Sequence, residues 1–161
     1  MTDHPEKPDT CILCQGRAAD DQLMRVEVWQ DDLWRLTTAY ASETPGFSYL
    51  EPKRHITDIT RLDGAEAATF GPTLARVTSA LREETGAELV YIYVFGDSVS
   101  HLHLHLAPHS AGDALNDQMI RGELVIKKLP SGLELIESKD FPPLPETELR
   151  ALAKRLRERL A

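Results

Sequence analysis

Hydrophobic and polar positions change period along the chain. Met24, Val26 and Val28 alternate with Arg25, Glu27 and Trp29 across Leu23 to Trp29, the two-residue period of a half-buried strand. Asp31-Asp32 supplies a turn, and Leu33 to Thr37 and Phe47 to Leu50 read as short strands separated by the turn-forming run Ser42-Glu43-Thr44-Pro45-Gly46. From Asp63 the period becomes helical, with Phe70, Leu74, Val77 and Leu81 on one face and an end near Gly86. Asp63 and Glu66 have the spacing of a capping box, while Pro72 removes one helical hydrogen bond and allows the first turns to form a separate piece.

Leu89 to Phe95 and Val99 to Leu106 read as two adjacent, central strands joined by the short turn Gly96-Asp97-Ser98. Asp113 to Ile120 suggests a short helix, and Glu123 to Lys128 pairs with Leu133 to Ser138 across Leu129-Pro130-Ser131-Gly132. After the breaker Phe141-Pro142-Pro143-Leu144-Pro145, a final helix places Leu149, Leu152, Leu156 and Leu160 on one face, expected to cover the domain's own core with its basic residues solvated. The class is therefore α+β: an antiparallel sheet of about five strands with one long helix packed on it, plus a C-terminal hairpin and helix.

Composition narrows the function classes. The 161 residues suit one domain, expected over 11–161 after a flexible leader at 1–10, with a C-terminal extension from about 110. No apolar run approaches the ~20 residues that cross a bilayer, and the N-terminus lacks a basic patch followed by an apolar segment, so a cytoplasmic location without membrane contact is expected. A net charge of −8 argues against broad binding to nucleic-acid backbones; a phosphate-bearing substrate has to be held by local donors.

The densest chemistry lies in His101-Leu102-His103-Leu104-His105-Leu106. On a strand, alternate residues share a face, so the leucines anchor the segment while His101, His103 and His105 project from the other side. Two such histidines can share a metal ion, as in a catalytic site using His101 and His103. The outer pair, about 13 Å apart at the backbone, does not reach one tetrahedral ion from a straight strand. Neutral imidazole also suits attack on phosphorus, because it is nucleophilic near pH 7 and its bond to a phosphoryl group is labile. The chain's two cysteines, Cys11 and Cys14, form a Cys-x-x-Cys knuckle that can hold zinc if two more ligands join it; a thiol redox pair or two ordinary small residues are the other readings.

This segment resembles the His-x-His-x-His-x-x signature of histidine-triad proteins. Gly96-Asp97-Ser98-Val99 is similar to the Gly-Gln-Ser/Thr-Val that precedes it, Pro52-Lys53-Arg54-His55-Ile56 to the family's Pro-Lys-x-His-Ile, and Gln30-Asp31-Asp32 to its early acidic turn. The resemblance runs over roughly residues 11 to 108. It implies a hydrolase or nucleotidyl transferase acting on a phosphoramidate, mixed anhydride or dinucleoside polyphosphate. His103 would be the nucleophile that forms a covalent nucleotidyl-histidine, His105 would contact the phosphate or leaving group, and Ser98 would hydrogen-bond the phosphate. It implies a homodimer, and a structural zinc on Cys11, Cys14, His55 and His101, as in the family's zinc-containing members. A zinc-stabilised nucleotide-binding module with little catalysis is the alternative. Retention of His105, where the phosphorylase branch has glutamine, favours hydrolysis over phosphorolysis. Two departures stand out: Ala39 occupies the place of the ribose-binding acid, sixteen positions before His55, and Asp97 replaces the usual glutamine.

Overall fold

The computed structural model describes residues 9–96, 98–113, 115, 123–139 and 141–161. Most of the expected leader, Asp97 and nearly all of the expected 113–120 helix lie outside the described residues. Seven strands are described: β1 (Arg25–Gln30), β2 (Trp34–Ala39), β3 (Ser48–Pro52), β4 (Leu89–Val94), β5 (Leu104–His109), β6 (Glu123–Lys128) and β7 (Glu134–Lys139). Two helices, α1 (Gly64–Thr85) and α2 (Glu146–Leu160), and two 3-10 helices, Leu13–Ala19 and Ile59–Arg61, accompany them. The first five strands form one antiparallel sheet in the order β1-β2-β3-β5-β4, and β6 and β7 pair as the expected hairpin. This is the α+β architecture read from the sequence.

Alternation decides which side of the sheet is the core. Leu36, Leu50 and Leu104 lie side by side across β2, β3 and β5, and with Leu106 they are fully buried beneath Val77, Ala80 and Leu81 of α1 and Leu152, Ala153, Leu156 and Leu160 of α2. The leucine face of α2 thus covers this chain's own core. Its arginines are paired rather than free: Arg155 and Arg159 reach Glu84 on α1, and Arg150 binds Glu146 while lying 4.0 Å from the Tyr40 ring centroid. No described helix is long and apolar enough to cross a membrane.

Four local expectations are revised. A bulge between Glu27 and Trp29 shifts the β1 register, so Trp29 joins Val26 and Val28 against the core instead of standing with Arg25 and Glu27. No capping box forms, because Asp63 and Glu66 are both taken by the Arg54 guanidinium, at 2.6 and 3.0 Å. Pro72 does not divide the helix: α1 runs unbroken for 22 residues, with Phe70 and Val77 packed on the core on either side of the proline. The β4–β5 connection is not a tight turn. Val94 pairs with Leu104, leaving residues 95–103 between the strands, and the Leu102 amide bonds the Ile56 carbonyl at 2.6 Å. That crossing carries His101 towards the N-terminal cysteines.

Candidate functional site

The segment from His101 to His105 serves two places. At its start, His101 is buried beside the cysteine knuckle at the entry to the first 3-10 helix. Cys11 Sγ lies 3.4 Å from His101 Nδ1, and Cys14 Sγ lies 3.4 Å from the same nitrogen and 3.3 Å from Nδ1 of His55. All four ligand atoms fall within 4.8 Å of one another. A tetrahedral zinc with Zn–S near 2.3 Å and Zn–N near 2.0–2.1 Å has S···N edges of roughly 3.5 Å, so the donor set and its spacing fit that ion. No disulfide joins the two cysteines.

The surroundings suit the two imidazoles to metal binding. Nε2 of His101 donates to the Pro52 carbonyl at 2.8 Å, which leaves Nδ1 with its lone pair towards the sulfurs. Burial pushes the His101 pKa below the usual histidine range, against the opposing pull of the Pro52 carbonyl and Glu51, and so favours the neutral imidazole that a metal requires. His55 directs Nδ1 into the cluster; its Nε2 is buried without a hydrogen-bond partner among the described residues.

Two residues on, His103 stays out of that cluster. Its Nδ1 donates to the His101 carbonyl at 2.6 Å, so the neutral ring keeps its Nε2 lone pair. The His105 ring lies 5.2 Å from that of His103 and is held edge-on by Tyr49 at 5.1 Å, Phe95 at 5.2 Å and Phe47 at 5.9 Å. Aromatic contacts of this kind favour edge-to-face geometry and so orient the ring. Ser98 is exposed in the connection before the histidines. The structure thus gathers Cys11, Cys14, His55 and His101 in one cluster and His103 and His105 in a neighbouring one.

A model of the HIT domain matches residues 22–112 of the chain. The chain belongs to the HIT domain family. The histidine-triad fold extends over most of its length, as three solved structures illustrate. A zinc-bound histidine triad family protein from Mycobacterium smegmatis is 20% identical, with a TM-score of 0.62 over 94% of this chain and 96% of that one. A hypothetical histidine triad nucleotide-binding protein from Sulfolobus tokodaii is 19% identical, with a TM-score of 0.64 over 93% and 91%. A histidine triad protein from Bradyrhizobium japonicum is 19% identical, with a TM-score of 0.65 over 89% and 96%. No curated protein matches the sequence.

Two features of this HIT chain bear on what its site can accept. Ala39, where the family resemblance leads one to look for a ribose-binding acid, is buried in a small apolar cluster with Phe47, Ala107 and Leu115. The strand pattern also did not foresee that Asp20, Arg25, Arg35 and Glu51 are all buried, joined in one ion network with Glu27. Read in isolation, each strand places these charges on its solvent side. Their opposite signs at paired positions, Arg35 against Glu51, were the available signal.

Proposed function

We propose that this HIT protein is a nucleotide-directed hydrolase or nucleotidyl transferase that works through a covalent nucleotidyl-histidine on His103. The observation that carries the reading is the His103 Nδ1–carbonyl hydrogen bond, since it leaves Nε2 as the nucleophilic nitrogen of a half-buried imidazole. In the first step Nε2 of His103 attacks the α-phosphorus of a phosphoramidate, mixed anhydride or dinucleoside polyphosphate. The phosphorus–leaving-group bond breaks, and His105, oriented by its aromatic neighbours, contacts the phosphate or leaving group. Ser98 donates to a phosphate oxygen. Water then attacks phosphorus, the phosphorus–nitrogen bond breaks, and the nucleoside monophosphate leaves with His103 restored. Dividing the displacement in two leaves the protein mainly positioning and charge stabilisation to perform.

Cys11, Cys14, His55 and His101 would hold a zinc ion as a closed, four-ligand cross-link between the N-terminal segment and the triad, with no open position for substrate. The homodimer belongs to the same proposal. Edge strand β4 leaves Leu89, Ile92 and Val94 more than two-fifths exposed, an apolar edge of the kind that pairs with another chain. His103→Ala is expected to remove turnover of an adenosine phosphoramidate by at least about a thousandfold while AMP still binds. Unchanged turnover contradicts the reading. Tight AMP binding by the parent protein with no turnover favours the nucleotide-binding module instead, a reading supported by the alanine at position 39.

A further inference from the structure

The buried ion network joins the flanks of two of the three stretches of chain that supply the metal cluster. Arg25 grips Glu51 with both terminal nitrogens, at 2.9 and 3.0 Å, and reaches Asp20 with Nε at 3.1 Å. Arg35 bonds Asp20, Glu27 at 2.6 Å and Glu51 at 3.4 Å. Arg25, Arg35, Asp20 and Glu51 are respectively 3%, 4%, 8% and 1% exposed. Buried ions of this kind are poor stabilisers, because apolar side chains of similar volume often serve as well or better. Their placement calls for another explanation.

Asp20 caps the C-terminal end of the 3-10 helix that contains Cys14 and begins two residues beyond Cys11. Glu51 immediately precedes Pro52, whose carbonyl holds His101, and stands four residues before His55. Cys14, Arg35, Glu51 and Pro52 also line one cavity of about 340 Å³, so the network and the knuckle face a common space. Each arginine fork touches Asp20 on one side and Glu51 on the other, and thereby fixes the distance between the segment with the sulfurs and the segment with the imidazole supports. Groups hydrogen-bonded to metal ligands commonly alter metal affinity by ~10–100-fold, and this network acts one step further out, through the backbone that carries those ligands.

We propose that Arg25 and Arg35, with Asp20 and Glu51, are positioning residues that pre-organise the Cys11–Cys14 knuckle against His55 and His101 for metal. The inference rests on the reading of that cluster as a zinc site. A lysine at position 35 keeps the charge but has one nitrogen in place of a fork and does not span Asp20, Glu27 and Glu51 together.

The test compares full-length wild type, Arg35→Lys, Glu51→Gln and, as a control in a surface network on α2, Arg159→Lys. Zinc affinity is measured by competition with a chromophoric chelator, and ligand geometry by the visible absorption of the cobalt-loaded protein. Arg35→Lys and Glu51→Gln are expected to bind zinc about tenfold more weakly with an altered cobalt spectrum, and Arg159→Lys as wild type. Wild-type affinity and cobalt spectrum in both network variants, with the apo and loaded melting temperatures lowered equally, would overturn the proposal and leave the network a purely structural one. A wild type that takes up no zinc overturns the metal reading itself, and this inference with it.

Discussion

The two faces of the same strands have been put to opposite uses. Across β2, β3 and β5, Leu36, Leu50 and Leu104 stand in register on one face, and on the other Thr37, Tyr49 and His105 stand in register one residue along. The first row is fully buried under two helices and contains nothing but hydrocarbon. The second runs from the His103–His105 pair through Tyr49 to the Arg25 guanidinium, 5.9 Å from the Tyr49 ring, and on into the buried ion network. A single-residue offset therefore separates packing from chemistry, and changes on the two faces are expected to be felt in different measurements.

The largest effect is expected at the metal end of the chemical face. At free zinc a thousand times the dissociation constant, binding stabilises the fold by about 4 kcal/mol, so chelation is expected to lower the melting temperature clearly and added zinc to restore it. A melting temperature indifferent to chelation and zinc would remove the cross-link from the comparison. On the packing face, Leu50→Ala deletes a fully buried side chain and is expected to cost about 3 kcal/mol in denaturant unfolding while leaving turnover per folded molecule nearly unchanged. A cost under about 1 kcal/mol would show that the face is not close-packed.

Acid provides a smaller effect with a definite sign. Burial alone would raise the Glu27 pKa, but the hydrogen bonds from Arg17 and Arg35 outweigh it and hold the carboxyl below its ordinary value. A carboxylate depressed on folding contributes stability above its unfolded pKa of about 4.3 and loses it as pH falls through the folded value. Urea midpoints measured between pH 7 and pH 3 should fall at the acid end, and Glu27→Gln should flatten that fall. The smallest effect belongs to Thr37, whose hydroxyl is buried without a hydrogen-bond partner among the described residues. Thr37→Val is expected to be neutral or to stabilise by up to about 1 kcal/mol, whereas a loss larger than that would place Thr37 in the polar network.

What the sequence discloses depends on how local the cause is. The leucines of α2 at helical spacing and the alternation that sends Leu102, Leu104 and Leu106 into the core are local, and both appear in the structure, although the strand itself begins only at Leu104. The Cys11, Cys14, His55 and His101 set, drawn from three distant stretches through the family resemblance, is brought together by the fold. Contacts made by a distant partner were not legible. Arg54 claims both Asp63 and Glu66 and so replaces a cap that their spacing alone would predict. The late start of β5 follows from the docking of Leu102 on Ile56, which no periodicity within residues 99–106 records. The ion network escaped notice because every strand carrying it looks amphipathic by itself; only the stacking of three strands turns an apparently solvated row into a buried one.

The proposed division of labour between His101 and His103 is tested most directly by the site of covalent modification. The protein is mixed with an adenosine phosphoramidate, quenched in alkaline denaturant to preserve the phosphorus–nitrogen bond, and mapped by peptide mass spectrometry. An adenylyl adduct on His103, absent from His101 and lost in His103→Ala, is the predicted result. An adduct on His101 or His105, or turnover with no adduct at any histidine, would contradict the account.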